Sequence, residues 1–176
     1  MSIPKTMKAA VLVDYGDLRV TEMPVPEFGP GEVLVKVDSV SICGSDPGII
    51  NKGWQGYTPL GEFIPGHEFA GVVAAAAPDV TRLKVGDRVS VEPHKGCGRC
   101  ENCLRGYYTT CLNYGKYEMG HRHFGFLTNG AYAEYAACHD TTLHKLPDNV
   151  SFEEGAVLTL VGTSMYGFER ILSLIH

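Results

Sequence analysis

The sequence predicts a mainly β protein, a partly open barrel or a sandwich that ends in a helix. Six segments have strand patterns, and glycine-rich turn signals separate them at short intervals. The 176-residue chain contains 21 glycines and 10 prolines without a collagen-type period, a composition typical of turn-rich β proteins. A chain of this length suits one domain, or one domain with a remnant of a second.

The first three predicted strands lie near the N-terminus. Residues 7–13 and 18–24 flank a turn at 14–17, which predicts a β-hairpin. In residues 31–43 valines alternate with charged side chains, and this period of two predicts a half-buried strand.

Three more strands and a helix are predicted further along the chain. Residues 69–80 predict a buried strand, residues 86–93 a short one, and residues 130–138 a strand of alternating tyrosine and alanine. Ser151 followed by Glu154 predicts a capping box at the start of the helix. Because several glycines interrupt the helical stretch, we expect a break near Gly162.

Composition and charge exclude several kinds of partner. The net charge is −5 with acids and bases mixed, so there is no basic stripe for nucleic acid or a lipid surface. No stretch reaches the roughly 18 apolar residues of a membrane helix, and the N-terminal residues lack a secretory pattern. We therefore expect a cytoplasmic protein with reduced thiols and neither a nucleic-acid nor a membrane partner.

Four of the six cysteines lie in the stretch GCGRCENCLRGYYTTC. Their spacing is C-x2-C-x2-C-x7-C, and the four residues are Cys97, Cys100, Cys103 and Cys111. Such turns can bring four thiolates to about 2.3 Å from one zinc ion. The spacing predicts a zinc lobe over about residues 93–115, which is structural because four thiolates leave no open position.

Alternatives to zinc stay open at this point. Cytosolic conditions disfavour disulfides, and a C-x-x-C redox pair normally lies beside a βαβ pattern, which is missing. Bacterial ferredoxins use C-x2-C-x2-C-x3-C-P for an iron–sulfur cluster, whereas here the last gap is seven residues and Leu112 takes the place of proline. A loop without metal would leave crowded thiols prone to oxidation.

A second group of metal-ligating side chains is spread along the chain. Cys43 belongs to the segment CGSD, and His67 and Glu68 belong to the segment PGHEFAG. One thiolate, one imidazole and one carboxylate suit a catalytic zinc, which keeps a position for water or substrate. On spacing alone, however, a packed cysteine and a solvated His–Glu turn are the simpler explanations.

Taken together, these motifs resemble a known family. The order of CGSD, GHE, VGDRV, the four-cysteine lobe and NGAYAEY is similar to the catalytic domain of zinc-dependent medium-chain alcohol dehydrogenases, especially their polyol and threonine dehydrogenase branch. The resemblance covers roughly residues 7–170 and rests on both the spelling and the order of the motifs.

The resemblance implies a fold and two metal sites. It implies a GroES-like, partly open β-barrel in residues 1–155, followed in residues 156–176 by a helix leading toward a Rossmann-type cofactor domain that this chain lacks. It also implies a catalytic zinc at Cys43, His67 and Glu68, and a structural zinc at the four cysteines.

Three further residues receive roles from the resemblance. Ser45 matches the residue that takes the proton from the alcohol, Asp46 the carboxylate that orients the zinc histidine, and Thr163 a position near the nicotinamide. The implied reaction is oxidation of a small alcohol or polyol by hydride transfer to NAD(P). Apolar surface exposed on such a domain would favour a homo-oligomer.

The sequence departs from the family pattern at three points. Thr159 stands where relatives carry a further acidic or thiol group near the zinc. Gly48 stands where relatives often carry a histidine that relays the proton. The chain also lacks the G-x-G-x-x-G turn that dinucleotide binding needs. We therefore expect the chain alone to bind zinc but to be inactive. A zinc-stabilised, non-catalytic scaffold is the alternative.

Two histidines near the zinc lobe have a less specific pattern. His121 and His123 lie two residues apart in GHRHFG, a spacing that metal ligands can also have. We interpret the segment instead as a polar loop against the substrate cleft.

Overall fold

The computed structural model describes residues 3–54 and 58–174, and most of their regular structure is antiparallel β-sheet. The strands are β1 (Thr6–Asp14), β2 (Asp17–Pro24), β3 (Glu32–Val40), β4 (Phe69–Ala76), β5 (Arg88–Val91), β6 (His94–Lys95), β7 (Arg122–His123), β8 (Tyr135–His139) and β9 (Leu143–Lys145). The α-helices are α1 (Asp46–Lys52), α2 (Glu101–Leu104), α3 (Phe152–Ala156) and α4 (Leu158–Ser173).

A five-stranded sheet forms the main part of the fold. Its strand order is β8-β3-β4-β5-β9, and each neighbouring pair is antiparallel. The β1–β2 hairpin contacts the segments around Phe63 and Ala133 through two isolated β-bridges. These bridges pair Ala9 with Ala133 and Leu12 with Phe63. The result is the predicted mainly β, partly open barrel. Among the described residues, no pair of named strands has the parallel arrangement of a dinucleotide-binding sheet.

Branched and aromatic side chains on β3, β4 and β5 fill the barrel interior. Val33, Val35, Phe69 and Val89 are fully buried and belong to one core cluster. Burial of such side chains stabilises a fold by about 1.5–3 kcal/mol each. This core fixes β3 against β4, so the end of β3 and the start of β4 lie side by side.

The predicted hairpin is confirmed, and the four other predicted strands are shorter than expected. β3 ends at Val40, so Cys43 lies beyond the strand. Within residues 130–138 only the part from Tyr135 onward is strand. The preceding residues 130–132 instead donate backbone hydrogen bonds to the carbonyls of residues 64–66, just before His67.

The predicted capping box is confirmed, whereas the predicted helix break is wrong in position. Both reciprocal bonds between Ser151 and Glu154 are present at the start of α3. The chain turns at Val157, between α3 and α4, and Gly162 continues α4. Ser90 ties α3 to β5 by donating a 2.7 Å hydrogen bond to the Gly155 carbonyl. A glycine costs helix stability without by itself ending a helix.

The α4 helix has no buried residue along its described length. Phe168 is 67% exposed, and Met165 and Leu172 are more than half exposed. In the part of the chain that the structure describes, no helix combines the length and apolar character needed to cross a membrane.

Candidate metal centres

The four clustered cysteines converge at one end of the zinc lobe. Their sulfur atoms all lie within 4.8 Å of one another. The Sγ atoms of Cys97 and Cys103 are 4.0 Å apart, and those of Cys100 and Cys111 are 3.9 Å apart. All six cysteines of the chain are free thiols, so the disulfide alternative has no counterpart in the structure.

Local hydrogen bonds prepare this site for thiolates. Donation by the Arg99 backbone amide, and then by the Asn113 side chain, lowers the pKa of Cys97 to about 6. Burial acts the other way on Cys103 and raises its pKa to about 12, and its interactions with the neighbouring cysteine sulfurs act in the same direction. Four thiolates this close repel one another, so a bound cation is needed for all four to be deprotonated together. The donor set fits zinc.

The second cluster forms where β3 ends and β4 begins. The ligand atoms of Cys43, His67 and Glu68 lie within 4.8 Å of one another, although the cysteine is far from the other two in sequence. The Ser41 amide donates a 2.8 Å hydrogen bond to the Glu68 carbonyl, which continues the β3–β4 pairing up to the site. Strand register thus brings the predicted thiolate, imidazole and carboxylate together.

The imidazole of His67 lies between a carboxylate and a hydroxyl. Its Nδ1 is 3.5 Å from Oδ1 of Asp46, and its Nε2 is 3.4 Å from Oγ of Ser45. The ring is only 4% exposed, and this burial lowers the pKa of His67 despite the opposing effects of Asp46 and Glu68. A neutral ring held by a carboxylate at one nitrogen is the form in which histidine binds metals through the other.

Asp46 is 1% exposed and has two hydrogen-bond donors on its second oxygen. The Cys43 backbone amide and the Tyr132 hydroxyl each donate to Oδ2 over 2.7 Å. Burial, followed by the bond to Asp46, raises the pKa of Tyr132, which keeps the phenol protonated as a donor. The Asp46 carboxylate therefore contacts two candidate ligands, Cys43 through its backbone amide and His67 through its ring.

Sequence reasoning singled out neither Tyr132 nor Ser41 as site residues. The Ser41 hydroxyl donates a 2.5 Å hydrogen bond to Oε2 of Glu68. Tyr132 lies in the motif NGAYAEY, which indicates the family but not the contact with Asp46. No local spacing indicates either bond, because both depend on tertiary packing.

The two threonines selected from the sequence, Thr159 and Thr163, lie on α4. The Thr159 hydroxyl donates to the Val91 carbonyl over 3.1 Å, and the Thr163 hydroxyl donates to the Thr159 carbonyl. Both threonines line a cavity of about 860 Å³ between α4 and the zinc lobe, which Tyr107 also lines. None of the residues that line this cavity is a candidate ligand of either metal site.

The interpretation of His121 and His123 as a polar loop is wrong. His121 is fully buried and His123 is 6% exposed. His123 stacks between His94 and Phe126 with ring-centre distances of 3.9 Å on each side. Phe126 in turn lies 4.3 Å from the His67 ring. Packing between aromatic rings, which the local sequence does not reveal, buries this segment.

Comparison with known proteins identifies the family. The alcohol dehydrogenase GroES-like domain matches residues 29–148. The chain is 38% identical over 174 residues to a sorbitol dehydrogenase from Bacillus subtilis. This match covers 96% of this chain and 46% of the relative. It is also 38% identical over 146 residues to an L-threonine 3-dehydrogenase from Mesorhizobium japonicum. That match covers 82% of this chain and 40% of the relative.

A solved structure supports the same family assignment. The thermostable alcohol dehydrogenase from Pyrobaculum aerophilum with bound cobalt and zinc has a TM-score of 0.76 and 33% sequence identity, over 88% of this chain and 45% of that one. The chain thus spans about half the length of the relatives it matches. The chain belongs to the zinc-type medium-chain alcohol dehydrogenase family and contains the GroES-like domain of that family.

Proposed function

We propose that this chain forms the metal-binding catalytic domain of a zinc-dependent dehydrogenase that oxidises an alcohol or polyol with NAD(P). The observation that carries the proposal is the convergence of Cys43, His67 and Glu68, with Ser45 beside them. One thiolate, one imidazole and one carboxylate leave a fourth position for a substrate oxygen. The relatives named as sorbitol and alcohol dehydrogenases support this substrate class.

The residues around the cluster have distinct roles in this proposal. Cys43, His67 and Glu68 would hold the catalytic zinc, which when bound supplies a Lewis acid that favours loss of the alcohol proton. The Ser45 hydroxyl lies 3.4 Å from Nε2 of His67, the nitrogen facing away from Asp46, and would accept that proton at Oγ. Asp46, whose Oδ1 lies 3.5 Å from Nδ1, would orient the ring so that Nε2 stays available.

The proton leaves Ser45 toward solvent in this proposal. Gly48 offers no side chain for a relay, and a Cβ built at Gly48 would meet no atom within 4 Å. The open space beside Gly48 gives water room to act as acceptor. A hydroxyl-to-water relay replaces the histidine relay that the family resemblance implies.

Hydride transfer requires a nicotinamide cofactor, which supplies the two-electron acceptor when bound. The sequence has no G-x-G-x-x-G turn, so we expect the 176-residue chain by itself to bind metal without turnover. The contact of Thr163 with the nicotinamide, a cytoplasmic location and a homo-oligomeric state stay predictions. So does the division into residues 1–155 and 156–176, of which residues 1, 2, 55–57, 175 and 176 lie outside the described residues.

Metal analysis of the purified chain tests the proposal. We expect two zinc ions per chain, one in the four-cysteine lobe and one at the Cys43 cluster, and we expect Cys43→Ser to retain only the first. One zinc ion in the unsubstituted chain would instead support the scaffold alternative. An iron-containing, brown protein would contradict both and revive the iron–sulfur alternative.

A further inference from the structure

We propose that Tyr132 is a positioning residue of the Cys43 metal site and acts through Asp46. Its hydroxyl donates a 2.7 Å hydrogen bond to Oδ2 of Asp46, a residue 86 positions away in sequence. Tyr132 is not one of the three candidate ligands, which are Cys43, His67 and Glu68. The inference rests on the metal site of the proposed function, but its test measures metal binding rather than turnover.

Asp46 connects two of the three ligands, which is why its own orientation matters. Its Oδ2 accepts the backbone amide of Cys43 at 2.7 Å, and its Oδ1 faces Nδ1 of His67 at 3.5 Å. A rotation of this carboxylate would loosen the backbone that carries the thiolate and the ring that carries the imidazole at the same time.

Tyr132 is held firmly enough to fix that carboxylate. Its backbone amide donates to the Pro65 carbonyl at 3.0 Å, and the adjacent Ala131 amide donates to the Gly66 carbonyl at 2.9 Å. The phenol ring lies on Gly66, where a Cβ would come within 2.6 Å of the ring. Since Gly66 directly precedes His67, one segment supports both the ring of Tyr132 and the backbone of the histidine ligand.

Removal of the phenol oxygen would leave a buried carboxylate with fewer donors. Asp46 is 1% exposed, so little water can replace the lost hydrogen bond. Loss of a group that orients a metal ligand typically lowers metal affinity by about 10–100-fold. We expect the lower end of this range, about tenfold, because the Cys43 amide still holds Oδ2.

Cobalt(II) titration of the full 176-residue chain tests the inference. The four-thiolate site and the one-thiolate site give different cobalt absorption bands, so each affinity can be followed in the same sample. We expect Tyr132→Phe to weaken cobalt binding at the Cys43 site about tenfold while leaving the four-cysteine site unchanged. Equal cobalt affinity of the Cys43 site in Tyr132→Phe and in the unsubstituted chain would overturn the inference.

Tyr117→Phe is the matched control. It also removes a tyrosine hydroxyl that donates a short hydrogen bond, but the acceptor is the Leu127 carbonyl at 2.6 Å. We expect this variant to keep both cobalt affinities. If Tyr117→Phe weakened the Cys43 site as much as Tyr132→Phe, general loosening of the fold would explain the result and the inference would fail.

A double-substitution cycle tests whether Tyr132 acts through Asp46. In an Asp46→Asn background, we expect Tyr132→Phe to cause little further loss, because the charged acceptor is already gone. Full additivity of the two losses would contradict action through Asp46. If the unsubstituted chain bound no cobalt at Cys43, the proposed function would fail. If it bound cobalt and Tyr132→Phe bound it equally well, only the present inference would fail.

Discussion

The Ser41 hydroxyl donates a 2.5 Å hydrogen bond to Oε2 of Glu68, a carboxylate that is only 2% exposed. The same two residues are joined by a backbone hydrogen bond from the Ser41 amide to the Glu68 carbonyl. The residue that directly follows β3 therefore hydrogen-bonds both the backbone and the side chain of a candidate ligand. In the absence of a metal ion, this hydroxyl stabilises the buried negative charge.

Ser41→Ala should destabilise the chain mainly when the Cys43 site is empty. A buried carboxylate that loses a hydrogen-bond donor costs about 1–3 kcal/mol. A metal ion at the site would offset part of that cost by neutralising the charge. Urea unfolding should measure the effect of Ser41→Ala twice, once in the zinc-loaded chain and once in a Cys43→Ser background. The loss in free energy of unfolding should be larger in the Cys43→Ser background.

Ser39→Ala is the control for this comparison. The Ser39 hydroxyl donates to the Asp38 carboxylate at 2.9 Å in an exposed position, so its removal should change the free energy of unfolding by less than about 0.5 kcal/mol. Equal losses in free energy of unfolding for the two variants would show that the Ser41–Glu68 hydrogen bond contributes no more to stability than the exposed Ser39–Asp38 bond.

Cys100→Ser and Cys43→Ser should have different consequences. Within residues 96–111 only Cys111 is buried, so the lobe has little apolar core and depends on its metal for order. Cys100→Ser should therefore lower the urea midpoint strongly. Cys43→Ser should remove one zinc ion and leave the barrel core, which lies on β3, β4 and β5, intact. Similar unfolding of the two variants would contradict this division of roles.

The convergence of both groups of candidate ligands could be predicted from the sequence, but for different reasons. The four cysteines are close in the chain, so turn geometry alone brings their sulfur atoms together. Cys43 and His67 meet only because β3 pairs with β4, and here the order of motifs, rather than spacing, supported the prediction. The bonds of Ser41 and Tyr132 to the site could not be predicted, because nothing in the local pattern specifies which distant side chain a hydroxyl will face.

The errors in the prediction have two different physical causes. The helix was expected to break at Gly162, yet the turn occurs at Val157, where α3 stays bonded to β5 through Ser90. His121 was expected in a polar loop, yet aromatic packing buries it. Tertiary contacts outweighed a local preference at His121, whereas Gly162 lies in a helix without buried residues, where a glycine lowers helix stability without ending the helix.

Gly66→Ala should be more damaging than Gly61→Ala. Both glycines have positive φ angles, +90° and +98°, so a side chain strains the backbone by about 1–2 kcal/mol at either position. Only at Gly66 would the new Cβ also collide with the Tyr132 ring, at 2.6 Å, whereas Gly61 has open space. Urea unfolding should give the larger loss for Gly66→Ala. Equal losses would mean that the ring moves aside freely.

Stability of the chain should decline in mild acid partly because of His121. Burial, and then the positive charges expected on His94, Arg122 and Lys95, lowers the pKa of His121 to about 4 from an ordinary value of 6.5. As the pH falls below 6.5, the unfolded chain takes up a proton at this residue before the folded chain does. The free energy of unfolding should therefore fall between pH 6.5 and about 4, by on the order of 3 kcal/mol from this residue.

His121→Asn separates this effect from the other acid-sensitive groups. The asparagine side chain can still accept the Gly115 amide hydrogen bond, which His121 accepts at Nδ1 over 3.3 Å, but it does not titrate. The variant should lose stability less steeply with acid than the unsubstituted chain in urea unfolding at a series of pH values. Acid also protonates metal ligands in both proteins, so the difference between the two curves reports His121 together with its effect on the neighbouring His123. His144→Asn is the matched control, since the His144 side chain is 58% exposed. Parallel curves for His121→Asn and the unsubstituted chain would refute this account, because they would mean that the folded chain protonates this residue as readily as the unfolded one.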